Sequence, residues 1–188
     1  MGLARLLWDH LGATPYELYR FDLSRPISVM PEPDGLRIEV GDINRLRAWV
    51  RTRKGVVPAP YLGTARDPAL AFCWALSGEQ PVGIIWMGVA SPLIRLAAGE
   101  AMTKDSYTDP QWRGRGMGKA LKAADCRCLK ERGFKFVYTT VRTDNVASRR
   151  IQDALGFVRV GGFTSRGLFK TRPATTRWAQ PGRATSAI

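Results

Sequence analysis

The sequence predicts an α+β fold, a mixed and mostly antiparallel central sheet flanked by helices. Three observations predict it. From residue 36 onward, short apolar or alternating segments recur between Pro- and Gly-rich breaks, which is the period-2 pattern of strands. Two later segments, 116–132 and 145–154, carry apolar residues at helical spacing instead. Ser77-Gly78-Glu79-Gln80-Pro81 between two apolar runs is a hairpin signal. The expected order is β-α-β-β-β-α-β-α-β-β.

The elements follow in turn. Leu3, Leu6, Leu7 and Leu11 are spaced for a helix, and Pro15 suits the first turn of a second helical piece. Residues 24–35, with Pro26, Pro31, Pro33 and Gly35, read as a linker. Residues 1–35 are therefore expected to be a helical extension. It packs on the domain, or docks on a membrane surface or a partner. Residues 36–40 alternate as a half-buried strand, and Asp42 caps a helix over 43–53 with Ile43, Leu46 and Val50 on one stripe. Residues 55–68 form a loop, and 69–76 and 82–89 the hairpin strands. Residues 99–108 give a strand running into Asp109-Pro110. The helix over 116–132 buries Met117, Leu121, Ala124 and Leu129 and stops at Gly133. Residues 134–141 are a strand. Asp144 or Asn145 caps the next helix, which runs to Ala154 and stops at Gly156. Short strands at 157–160 and 167–170 complete a domain spanning 36–170, and 171–188 read as a disordered basic tail.

Composition narrows the function. The chain has 188 residues and a formal net charge of +13, with 22 Arg against 7 Lys, so an anionic partner is expected. His10 is the one histidine, which disfavours a His dyad or a His-based metal site, so no metal is expected. Cys73, Cys126 and Cys128 form no disulfide framework and suit a reducing compartment. The longest uncharged stretch, 80–94, is 15 residues with two prolines, whereas a membrane span needs roughly 20 apolar residues. No secretory signal is visible. The expected location is the cytoplasm, or the membrane periphery through the N-terminal helix.

The chemistry sits in residues 109–121. Gly114, Gly116 and Gly118 fall at every second position between a strand and a helix. They let the backbone adopt positive φ and turn several N–H groups into one concavity. The helix start adds its positive dipole end, and Arg113, Arg115 and Lys119 add full charge. This predicts a phosphate or pyrophosphate site. A nucleotide-triphosphate loop needs four residues between its glycines and a Ser or Thr after the Lys; here there are three, and Ala120 follows Lys119. The dinucleotide fingerprint also fails on spacing.

Arg113-x-x-Gly116-x-Gly118 resembles the Q/R-x-x-G-x-G/A motif of the GNAT superfamily of acyl-CoA-dependent N-acyltransferases. The segment from Asn145 through Ser148, Ile151 and Leu155 to Gly156-Phe157 resembles the second signature of that family. The resemblance covers roughly residues 36–170. It implies a sheet splayed at the acyl-CoA site and direct transfer of an acetyl group from acetyl-CoA to an amine. The pantetheine arm would pair with the backbone of Ser106, Tyr107 and Thr108. The pyrophosphate would sit on the N–H groups of Arg113, Gly114, Arg115, Gly116, Met117 and Gly118, beside Lys119. Asn145 would bond the pantetheine, and Ser148 and Arg149 would lie toward the adenosine end.

The family often places a Tyr acid seven residues after the Asn, and here that residue is Gln152, which cannot titrate. Tyr107, Tyr138 or water would then supply the acid. Glu100 and Asp105 flank the strand that enters the site. Glu100 shares a face with Met102, Lys104, Ser106 and Thr108 under strict alternation. The resemblance, in which some members use a Glu on this strand, makes it the expected base, with Glu100 and Tyr107 the candidate catalytic pair. Cys126 and Cys128 read as structural. The acceptor, a small-molecule or peptide amine, is expected to meet the loop with Tyr61, Arg66 and Asp67, and the turn at 161–166. Three other readings stay open. One is a longer acyl donor or acyl carrier protein; another is a non-catalytic acyl-CoA sensor. The third is a basic nucleic-acid module, although no stacking platform points to specific nucleic-acid binding.

Overall fold

A computed structural model describes residues 13–53, 57–62, 69–91 and 93–166. In chain order the elements are β1 (Ala13–Asp22), β2 (Arg37–Val40), α1 (Ile43–Thr52), β3 (Ala69–Ser77) and β4 (Gln80–Gly88). Then follow β5 (Glu100–Thr108), α2 (Met117–Glu131), β6 (Phe136–Arg142), α3 (Val146–Ala154) and β7 (Val158–Arg166). Short 3-10 turns lie at Ala59–Leu62 and Pro110–Trp112. The strands form one seven-stranded sheet in the order β2-β3-β4-β5-β6-β1-β7. Every pair is antiparallel except β5–β6, which is parallel. This is the expected mixed sheet flanked by helices.

The two faces bury different sets. Tyr19, Phe21, Cys73, Ala75, Ile85, Met87, Ala101 and Val137 pack with Met117, Leu121 and Leu129 of α2, and with Ile151 of α3. On the opposite face, Leu46 of α1 and Tyr61 pack on Phe72, Trp74, Ile84 and Trp86. Predicted helix ends are observed where local chemistry sets them. The Asp42 carboxylate accepts from the N–H groups of Asn44 and Arg45 at 2.6 and 3.0 Å. Gly133 and Gly156 follow α2 and α3 with φ of +82° and +77°.

Two expectations are corrected. Residues 13–22 hold no helix after Pro15; they form β1, between β6 and β7. Pro15 lies near the start of the strand, where a missing N–H is tolerated, and its carbonyl accepts from Thr143 N–H at 3.1 Å. Leu18 is buried on one face and Tyr19 and Phe21 on the other. A strand buried on both sides shows no polar alternation, which is why the pattern misled. Likewise, 158–166 is one continuous strand, not a short strand over 157–160 followed by a turn at 161–166. Gly161 and Gly162 continue the ladder opposite Leu18 and Glu17. The expected helix over 3–11, Arg66, Asp67, the strand at 167–170 and the tail lie outside the described residues.

If residues 13–22 are a central strand, Leu18→Ala should destabilise the chain by about 2–4 kcal/mol, as read from urea unfolding. A loss under ~0.5 kcal/mol would place this segment on the surface.

Candidate functional site

The β5–β6 ladder runs only from Glu100↔Phe136 to Thr103↔Thr139. Beyond that point β5 stays paired with β4 as far as Thr108, and β6 with β1 as far as Arg142. Each strand therefore keeps one partner and turns an unpaired edge toward the other. Residues 104–108 are half-buried or exposed, so their backbone groups on this side are open to a ligand. Ser106, Tyr107 and Thr108 all lie on this open edge.

A bulge in β5 decides which side chains face which way. Ile85 pairs with Ser106 and Trp86 with Lys104, leaving Asp105 as the extra residue. Strict alternation is thereby broken. Met102 and Lys104 share a face with Tyr107, on the α1 side, while Ser106 and Thr108 turn to the α2 side. Glu100 sits at the closed end of the ladder, roughly 20 Å from Tyr107 at ~3.3 Å per residue. Its carboxylate accepts from Ala97 N–H at 2.8 Å and from the Tyr138 hydroxyl at 3.0 Å. Neither Glu100 nor Tyr138 is brought to the opening.

The loop that follows β5 is tied down up to residue 113. Asp109 N–H donates to Val82 O, Trp112 N–H to Asp109 O and Arg113 N–H to Pro110 O. The Arg113 Nε returns to Thr108 O at 3.0 Å. From 114 to 118 the backbone N–H groups have no partner among the described residues. Gly114 and Gly116 hold φ of +77° and +84°, and a Cβ on either would meet nothing within 4 Å. Both glycines serve backbone conformation, not packing. Gly116 is the N-cap of α2, with no side chain bonded to the helix end, so the orphan donors and the dipole of a 15-residue helix point into this loop. Arg115 lies 5.0 Å over the Trp112 ring, and Lys119 is exposed on the first turn. Met117 contributes only backbone here, since its side chain is core. Gly118 has a packing reason: a Cβ would lie 2.8 Å from Ile151 Cδ1 on α3.

Asn145, not Asp144, caps α3. Its Oδ1 accepts from Ser148 N–H at 3.0 Å, while Asp144 pairs with Arg142 at 2.8 Å. The Asn145 side-chain N–H₂ points to no described partner. Arg149 is half-buried with an unpartnered Nε, and Gln152 is buried with its Oε1 unpartnered.

Sequence reasoning missed the support beneath the branch. The Thr103 hydroxyl, at the last β5–β6 pair, donates to Asp125 Oδ2 at 2.5 Å. Lys122 Nζ donates to Thr103 Oγ1 and lies 3.4 Å from Asp125 Oδ2. All three are buried. Complete burial pushes the Asp125 carboxyl up, against the pull of Lys122 and Thr103. The signal was present: residues 118, 122, 125 and 129 form one stripe of α2, and charges on a buried stripe demand partners.

An aromatic wall borders the opening on the α1 side. Tyr61 packs against Trp49 at 5.0 Å and edge-on to Tyr107 at 5.5 Å. Trp86 Nε1 donates to Pro60 O at 2.6 Å and pins this turn to the sheet. Burial, and then the Asp109 carboxylate, push both the Tyr61 and Tyr107 hydroxyls above their ordinary range.

Comparison with known proteins identifies the family and the fold. Residues 40–157, well over half of the chain, match the acetyltransferase (GNAT) family. A mycothiol acetyltransferase from Nocardiopsis dassonvillei is 32% identical over 107 residues, which cover 52% of this chain and 27% of that protein. Among solved structures, a GCN5-related N-acetyltransferase from Sphaerobacter thermophilus matches with a TM-score of 0.59 and 17% identity, over 89% of this chain and 58% of that one. One from Kribbella flavida matches with a TM-score of 0.52 and 17% identity, over 84% and 60%. The chain thus spans about a quarter of the mycothiol acetyltransferase and under two thirds of either structure. The two structures share its fold.

Lys122→Met leaves Asp125 buried and uncompensated, and should cost about 3–5 kcal/mol in urea unfolding. Adding Asp125→Leu should restore most of that stability. A single variant as stable as the parent would mean the pair does not hold the branch.

Proposed function

The chain belongs to the acetyltransferase (GNAT) family, and on that premise we propose that it transfers an acetyl group from acetyl-CoA to an amine of a small molecule or peptide. The observation that carries the proposal is a coincidence in space: the sheet opens beside a glycine loop whose N–H groups at 114–118 lack partners among the described residues. An extended chain with amides and a pyrophosphate at its end needs both features side by side. Acetyl similarity to the mycothiol acetyltransferase favours acetyl over a longer acyl chain or a carrier protein as donor.

The residues present fit such a co-substrate. The N–H groups of 114–118 and the α2 dipole would hold the pyrophosphate, with Arg113, Arg115 and Lys119 supplying charge. The open edge at Ser106, Tyr107 and Thr108 would pair with the pantetheine amides, as one more strand would. The Asn145 side-chain amide would reach the same arm from α3, and Ser148 and Arg149 would border the adenosine end. Acetyl-CoA, when bound, supplies the acyl group activated as a thioester. The chain's part is to hold the reactants close and to supply a proton donor at the opening. Gln152 cannot donate an ionisable proton, and Glu100 lies at the far end of β5. Tyr107 remains, half-buried at the opening with a hydroxyl that stays protonated at neutral pH.

The three cysteines are buried thiols, which suits a reducing compartment such as the cytoplasm. Among the described residues no helix is long and apolar enough to cross a membrane.

Titration calorimetry with acetyl-CoA, and ATP as control, tests the site. The parent chain should bind acetyl-CoA at least about tenfold more tightly than ATP. Gly116→Asp puts a Cβ at φ +84° and a negative charge among the orphan donors. It should abolish binding while costing only about 1–3 kcal/mol of stability. Retained affinity would place the co-substrate elsewhere. Equal binding of ATP, lost in salt, would leave only a basic phosphate trap.

A further inference from the structure

We infer that Cys73 and Cys128 form a peroxide-sensitive thiol pair that closes to a reversible disulfide between β3 and α2. The inference does not depend on the acetyltransferase reading, which uses neither thiol.

The first observation is where the two sulfurs lie. The face of β3 turned toward α2 carries Ala71, Cys73 and Ala75, three small side chains in a row. In a close-packed interior, small side chains let the helix lie near the sheet. On α2, Cys128 follows Leu121 by two helical turns, on the stripe packed against the sheet. The two thiols meet between these elements. The Cys73 S–H donates a hydrogen bond to the Cys128 sulfur.

The second observation is that the two thiols are unequal. Cys128 sits in the last turn of α2, where its carbonyl accepts from Arg132 N–H at 3.2 Å. It is 5% exposed, against 1% for Cys73. The bond from Cys73, and then the Arg132 guanidinium, hold its thiol down at about 7 against the effect of burial. Giving that bond, with burial added, pushes the Cys73 thiol up. Cys126 is also buried, and burial followed by the Asp125 carboxylate pushes its thiol up to about 12. Thus α2 holds one thiol fit to be a nucleophile and one that is not, and β3 holds a second sulfur in contact with the first.

Hydrogen peroxide is small enough to reach the Cys128 sulfur at the helix end. The Cys128 thiolate attacks one peroxide oxygen, the O–O bond breaks, and hydroxide leaves as Cys128 becomes a sulfenic acid. Cys73 then attacks that sulfur. Its proton goes to the departing hydroxyl, and water leaves as the S–S bond forms. The two thiols give two electrons to the peroxide, and a thiol reductant reverses the change. In a reducing compartment such a bond is transient and redox-sensing. It ties β3 to the helix that starts at Gly116 and carries Lys122 and Asp125.

The test treats the folded whole chain with hydrogen peroxide, alkylates it after unfolding and maps its peptides by mass spectrometry. The expected product joins the Cys73 and Cys128 peptides, leaves Cys126 free to be alkylated, and returns to free thiols with dithiothreitol. Cys128→Ala should abolish the bond and slow peroxide-dependent thiol loss at least about tenfold, whereas Cys126→Ala should oxidise like the parent. Cys73→Ala should leave a sulfenic acid at Cys128 that dimedone traps. The inference is overturned if the folded parent forms no intrachain disulfide, if the bond involves Cys126, or if it forms only after unfolding in urea. Mapping of the parent alone decides this if a variant fails to fold.

Discussion

Separating two neighbouring strands leaves two rows of backbone donors and acceptors without partners, and this structure is arranged around that cost. β5 and β6 are paired for only four residues each before they part. What keeps the opening from closing is local and identifiable. The bulge at Asp105 disrupts the regular course of β5 just past the last pair. Beneath that pair, Thr103, Lys122 and Asp125 form a buried polar set that ties β5 to α2. On the far side, β1 holds β6 along its whole length. Each strand is secured on the side away from the opening, and so the opening can stay unpaired.

The same logic extends to the loop. A helix start without a side-chain cap, preceded by two glycines at positive φ, leaves a second group of orphan donors. The two sets of unsatisfied groups lie on one continuous path, along β5 and through 109–118 into α2. A ligand that offers amides at one end and phosphates at the other satisfies both. On the α1 side the opening is bordered by aromatic rings, with Tyr61 packed between Trp49 and Tyr107. The bulge at Asp105 turns Tyr107 to the α1 side, where its ring meets that of Tyr61.

Much of this was legible because its causes are local. Glycines at alternate positions, Asp42 and Asn145 as caps, and Gly133 and Gly156 as stops all act within a few residues of themselves. The loop and the helix that follows it could be read directly. What failed depended on partners distant in sequence. β1 is buried on both faces, so its pattern carried no alternation, and Pro15 suggested a helix start. Gly161 and Gly162 suggested a turn, although they sit in a strand against Glu17 and Leu18. The facing of residues 104–108 depends on a bulge set by pairing with β4, which strict alternation cannot foresee. Glu100 was grouped with the opening because alternation counts faces and not distance along the strand; it lies at the closed end of the β5–β6 ladder. Lys122 and Asp125 did leave a trace, as charges on a buried stripe, but their partner Thr103 comes from another element.

The central claim is that one ligand satisfies the open β5 edge and the glycine loop together. A backbone-amide NMR titration of the whole chain with acetyl-CoA tests it most directly. The account predicts that amide shifts concentrate at residues 106–108 and 114–118 and saturate together, with β2 and β3 unmoved. Shifts confined to the loop, or scattered over the arginine-rich surface and lost in salt, would contradict it.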